Sequence, residues 1–157
     1  MIGTLDAPAI EALLESEVVG RIGFHGDGRT YVIPVSYVYV DGAVYGHTSE
    51  GLKIAMMRAN PNVCFEVDRV RGAMHWDSVV ADAVFEELAA EEAQHAFGLL
   101  VDRFVPLMAA DREGSGDASA DGSSNGGLPG TVMDLAAARP VVFRLRLGER
   151  TGRFQRR

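Results

Sequence analysis

Two runs rich in β-branched and aromatic residues, 31–40 and 43–47, are separated only by Asp41-Gly42. Both central positions of a type I′ turn need φ > 0, so this spacing predicts a tight antiparallel hairpin. Residues 18–24 also alternate toward period 2, and His25-Gly26-Asp27-Gly28-Arg29 reads as a turn. Three strands in an antiparallel meander therefore cover about 18–47.

Helical signals surround this meander. Asp6 is suited to an N-cap, Pro8 to the first turn, and Ile10, Leu13 and Leu14 to one helical face, which predicts a short amphipathic helix over 7–16. Thr48 or Ser49 can cap a second helix running to about Ala59, where Asn60-Pro61 stops it. Val63, Phe65 and Val67 alternate with Cys64, Glu66 and Asp68, giving a half-buried fourth strand. A fifth strand spans 76–85, with Trp76, Ser78, Val80, Asp82 and Val84 on one face. Residues 88–104 form a longer helix closed by Pro106, with Ala93, Ala96, Phe97, Leu100, Val101 and Phe104 as its apolar stripe. Residues 111–130 hold almost nothing apolar before Leu128 and are expected to be a mobile loop, too short for a domain linker. A sixth strand covers 141–147, and a turn at 148–153 leads to a short final strand. These elements imply one domain over 1–157: a small closed antiparallel barrel with peripheral helices.

Composition excludes several classes of function. A net charge of −7 argues against a nucleic-acid surface, which needs clustered Lys and Arg. No apolar run approaches the length needed to cross a bilayer, and the N-terminus lacks a basic segment followed by an apolar core. The expected compartment is the cytoplasm, with no membrane partner. The single cysteine, Cys64, excludes an intramolecular disulfide and any multi-cysteine metal site. No paired catalytic carboxylates, triad or metal-binding spacing stands out, so no metal is expected.

One residue is chemically conspicuous. Lys53 is the only lysine beside fourteen arginines, and it ends the stretch Tyr45-Gly46-His47-Thr48-Ser49-Glu50-Gly51-Leu52-Lys53. A compact ammonium at a helix start, preceded by an imidazole and two hydroxyls, suits a phosphate monoester. The same pattern also describes an ordinary helix start that retained one lysine.

The order of motifs resembles the flavin-binding split β-barrel family named for pyridoxamine 5′-phosphate oxidase, and within it the short nitroimidazole-resistance-type members. The resemblance is carried by Gly20-Arg21-Ile22-Gly23-Phe24, Tyr31-Val32-Ile33-Pro34-Val35-Ser36-Tyr37, Val44-Tyr45-Gly46-His47-Thr48 and Gly51-Leu52-Lys53. It continues through Asn60-Pro61, the 63–68 strand, Trp76 with Ser78-Val79, Val142-Phe143-Arg144-Leu145-Arg146 and Thr151-Gly152-Arg153. It covers about 10–105 and 139–154, and it implies a mainly β fold, a six- to seven-stranded antiparallel split barrel with peripheral helices.

The resemblance further implies non-covalent FMN in a cleft where two subunits of a homodimer meet. Val32, Ile33, Pro34, Val35 and Ser36 would line the isoalloxazine. His47, Thr48, Gly51 and Lys53 match the phosphate site, and Trp76 and Ser78 match a strand that approaches the flavin, often from the partner subunit. The implied activity is reduction of a small electron-poor substrate through flavin N5, with NAD(P)H a candidate reductant. The flavin motifs carry no crowd of basic residues, so oxidation of pyridoxamine phosphate itself is not expected. A non-catalytic binder of haem, flavin or deazaflavin on the same fold remains an alternative, with His47 or His25 the haem ligand it would need.

Overall fold

In the computed structural model, which describes residues 1–114 and 140–157, the chain order is β1 (Ile2–Thr4), α1 (Ala7–Ser16), β2 (Val19–Gly26), β3 (Arg29–Ser36), β4 (Val38–Val40), β5 (Ala43–Ser49), α2 (Leu52–Ala59), β6 (Asn62–Gly72), β7 (His75–Glu87), α3 (Ala90–Gly114) and β8 (Pro140–Gln155). The strands form one antiparallel sheet in the order β3-β2-β6-β7-β8-β5-β4, with β1 added along β8. It is a split barrel. The sheet does not close, because β3 and β4 are its edges, and this corrects the closed barrel expected above.

Local signals explain much of this. Asp6 Oδ1 accepts from the Ala9 N–H at 3.0 Å, and α1 begins one residue later. The two tight turns are built as the Asp-Gly pairs require, with φ 51° and 72° at Asp27 and Gly28 and 50° and 79° at Asp41 and Gly42.

The meander, however, breaks in its middle strand. The Tyr37 N–H donates to the Val18 carbonyl at 3.0 Å, beside β2, while Val38, Tyr39 and Val40 pair with β5. Residues 29–40 thus contribute both edges of the sheet, which with the short β1 brings the strand count to eight. Burial holds the break in place. Tyr37 is fully enclosed, its hydroxyl donates to the Leu14 carbonyl at 2.7 Å, and its ring meets Phe65 edge-on at 5.0 Å.

Three other expectations are corrected. Thr48 and Ser49 finish β5 instead of capping α2, whose N-cap is Gly51, with no side chain among the described residues accepting from its first turn. Pro106 lies inside α3, at an exposed position where the forfeited hydrogen bond leaves only a carbonyl for water to meet. β8 runs unbroken through 148–153: Gly152 is there because a Cβ would come within 2.7 Å of Leu5 and 2.8 Å of Ile10, where α1 crosses the strand. A register shift between Ala81 and Ala83 absorbs the curvature of so long a strand. The segment expected as a mobile loop overlaps the end of α3 at 111–114, and its remainder lies outside the described residues.

The core fills the concave side of the sheet, with Ile22, Phe65, Val67, Val79, Phe143 and Leu145 almost wholly buried. Helix α1 closes one end through Leu13 and Leu14, and α2 closes the other through Ile54 and Met57. Arg103 of α3 donates to the Ser16 carbonyl at 3.2 Å and the Glu15 carbonyl at 3.3 Å, satisfying the end of α1. No helix among the described residues is long and apolar enough to cross a membrane.

Asp77 is a buried carboxylate gripped by Arg71 at 3.1 Å and by Arg156, which ties the β6–β7 hairpin to the end of the chain. Burial opposes its ionisation, but hydrogen bonds from Arg156 and Arg71 outweigh that and hold it below the usual aspartate value. A depressed carboxylate stabilises the fold above its unfolded pKa, and this contribution fades as pH falls through the folded one. Asp77→Asn is expected to cost about 1–2 kcal/mol at pH 7, the arginines being partly exposed. Urea unfolding should show the gap from wild type narrowing below about pH 4.

Candidate functional site

The break at Tyr37 creates the site. Continuing the β4–β5 register backward would set Ser36 opposite His47, Val35 opposite Thr48 and Pro34 opposite Ser49. None of these pairs forms, because β3 has turned away to β2. The main-chain edges left apart border a cavity of about 300 Å³, lined by Ile33, Pro34 and Val35 from β3 and by His47, Thr48 and Ser49 from β5. Lys53, Ile54 and Met57 of α2 form another wall, and Ile22, Pro140 and Phe143 complete the lining. Pro34 sits on an edge strand, where its missing N–H costs no ladder bond. Gly46 lets the Phe143 ring approach: a Cβ there would lie 2.7 Å from that ring and 3.2 Å from Val35.

Six of the eleven residues singled out in the sequence thus share one cavity: Ile33, Pro34, Val35, His47, Thr48 and Lys53. Val32, on the face of β3 opposite Ile33 and Val35, does not line the cavity and is 65% exposed. Ser36 is buried, and its hydroxyl has no hydrogen-bond partner among the described residues. Gly51 is the N-cap of α2, with open space where a side chain would be. Trp76 and Ser78 stand on the outer face of β7, opposite the inward Asp77 and Val79, and do not line the cavity. His25 is exposed on β2. Sequence reasoning missed Ile54 and Met57, although their three-residue spacing on α2 was a readable signal. It also missed Phe143 and Pro140, which reach the cavity only through the pairing of β8 with β5.

Charge is unevenly distributed here. Lys53 makes no ion pair among the described residues, whereas eight arginines are engaged with carboxylates. At the far end of α2, Arg58 donates to Glu50 at 2.5 and 3.0 Å and to Glu87 at 2.6 and 2.8 Å. Hydrogen bonds from Arg58 hold both carboxyls below their usual range. The first-turn N–H groups of α2 carry the positive end of the helix dipole, and no side chain among the described residues caps them. Among the described residues no group of three or more His, Cys, Asp or Glu is placed to hold a metal.

An antiparallel split barrel with a mostly apolar cavity that carries Lys53 and two hydroxyls at its opening defines the class of protein. A family model described as pyridoxamine 5′-phosphate oxidase matches residues 6–154, and the chain belongs to that family. An FAD-binding protein from Mesorhizobium loti has a similar structure, with a TM-score of 0.69, 28% identity and 99% of each chain covered. An FAD and heme binding protein from Mycobacterium smegmatis, at 19% identity and a TM-score of 0.63 over 99% of this chain and 74% of that one, shares the fold. A curated relative, an uncharacterized protein of Rhizobium meliloti, is 29% identical over 77 residues. That match takes in 49% of this chain and about half of the relative, 51%.

Proposed function

We propose that this protein is an FMN-dependent oxidoreductase whose cofactor occupies the cavity between β3, β5 and α2. The observation that carries the reading is Lys53: an ammonium with no acidic partner among the described residues, beside the N-terminus of a helix whose N-cap is a glycine and the hydroxyls of Thr48 and Ser49. These groups suit a phosphate monoester. The rest of the lining, from Ile22, Ile33, Val35, Met57 and Phe143, suits an aromatic ring system. The main-chain groups of β3 that the missing ladder leaves free suit the ring's polar edge. The FAD-binding protein from Mesorhizobium loti supports a flavin in general. A single lysine at a cavity near the lower end of the roughly 300–1,000 Å³ typical of ligand sites favours the mononucleotide.

Each residue then has a task. Lys53 neutralises the phosphate, Thr48 donates its hydroxyl, His47 donates through one ring nitrogen, and Gly51 allows close approach. Ile33, Pro34 and Val35 fix the ring's orientation, while the apolar wall of α2 excludes water from one side. When bound, the flavin supplies hydride or electron transfer to a small electron-poor substrate, with NAD(P)H the candidate reductant.

Trp76 and Ser78 join this site only if a second copy presents its β7, and we place the protein as a homodimer on that account. A row of side chains supports it: Ile2, Gln155, Trp76 and Val70 stand side by side across β1, β8, β7 and β6. Ile2 and Val70 are each 64% exposed, and Met74 beside them 52%. Sedimentation equilibrium should give twice the chain mass, and Val70→Glu should shift it toward one chain; a wild-type monomer would remove the shared site.

The absorption spectrum of the purified protein tests the cofactor. Paired flavin bands, with FMN and not FAD released on denaturation, are expected. Lys53→Ala should weaken FMN binding by about 10- to 100-fold, the size of one charge-assisted contact. A protein that holds no added flavin, or one that shows a haem Soret band instead, would overturn the reading.

A further inference from the structure

We propose that Arg58 is a positioning residue for the anion site: by holding Glu50 it keeps that carboxylate from neutralising Lys53. This rests on the reading that the cavity takes a flavin phosphate, and it names what keeps the site's charge available.

Ser49 and Lys53 both line the cavity, and Glu50 stands between them in the chain, immediately before the N-cap Gly51. A carboxylate there has two attractions close by. The N-terminus of α2 favours negative charge, and Lys53 lies only three residues on in the chain. A Glu50 that turned inward would occupy the place of the ligand's phosphate with a group from the chain itself.

Its carboxylate is instead forked by Arg58, at 2.5 Å to Oε1 and 3.0 Å to Oε2. The same guanidinium forks Glu87, the last residue of β7, at 2.6 and 2.8 Å. The second fork matters as much as the first. It fixes Arg58 to the sheet, so Glu50 is held to a point that does not move with the loop before α2. The three side chains are 38%, 58% and 40% exposed, a setting in which ion pairs add little to stability. The arrangement therefore acts on where charge sits, with little effect on whether the domain folds.

Double substitutions separate this role from bulk electrostatics. The flavin-free protein is titrated with FMN by quenching of flavin fluorescence, then with inorganic phosphate as competitor. Arg58→Ala is expected to raise the Kd for both by about tenfold. Adding Glu50→Gln should restore FMN binding to within about threefold of wild type. Adding Glu87→Gln should not, although both double variants carry the same net charge. Arg58→Gln, which keeps most of the side chain's length, should behave as Arg58→Ala does, and thermal unfolding should show all the variants folded. Wild-type affinity in Arg58→Ala, or equal rescue by Glu87→Gln, would overturn the role of Arg58 and leave the flavin site standing. Wild-type protein that takes up neither FMN nor phosphate would overturn both.

Discussion

The hydrogen bond from the Tyr37 N–H to the Val18 carbonyl, 3.0 Å long, turns one extended segment from one sheet edge to the other. Everything at the site follows from that turn. Had residues 34–36 continued the β4–β5 ladder, Pro34, Val35 and Ser36 would lie against Ser49, Thr48 and His47 and no cavity would exist. The cost of leaving those main-chain groups apart is met by burial at the pivot, where Tyr37 is enclosed with its hydroxyl bonded to Leu14 and its ring against Phe65. The hydroxyl lies in surroundings so dry that burial raises its pKa above the ordinary tyrosine value. A rigid core residue thus holds open a gap about three residues long.

Local chemistry was legible in the sequence; chemistry that depends on strand pairing was not. The bounds of α1 follow from Asp6 and Pro8, and both type I′ turns follow from Asp-Gly pairs whose backbone demands are met within four residues. The split at Tyr37 depends on Val18, nineteen residues away, and nothing inside the run 31–40 marks it. The continuity of β8 was hidden in the same way. Gly148 and Gly152 read as turn residues, yet Gly152 answers to the crowding of Leu5 and Ile10 from the far end of the chain. Pro106 misled because its effect depends on whether the freed carbonyl reaches water, which sequence does not state.

The site divides along the same line. His47, Thr48 and Lys53 were picked out because strand end, hydroxyl and cation fall within seven residues, and Ile33, Pro34 and Val35 through the family resemblance. Phe143 and Pro140 were not, since their place in the cavity comes from pairing with Gly46 and Ser49. The electrostatic half of the site was only half visible. One lysine among fourteen arginines marked the cation, while the fork that keeps Glu50 with Arg58 needed coordinates.

We propose the cavity opened at Tyr37 as a phosphate-anchored flavin site centred on Lys53. Parallel titration of the flavin-free protein with FMN and with riboflavin, which lacks only the phosphate, isolates the contribution of the anchor. FMN is expected to bind about 10- to 100-fold more tightly, with the preference largely lost in Lys53→Ala. Equal affinity for the two ligands would mean that Lys53 holds no phosphate, and the site would fall.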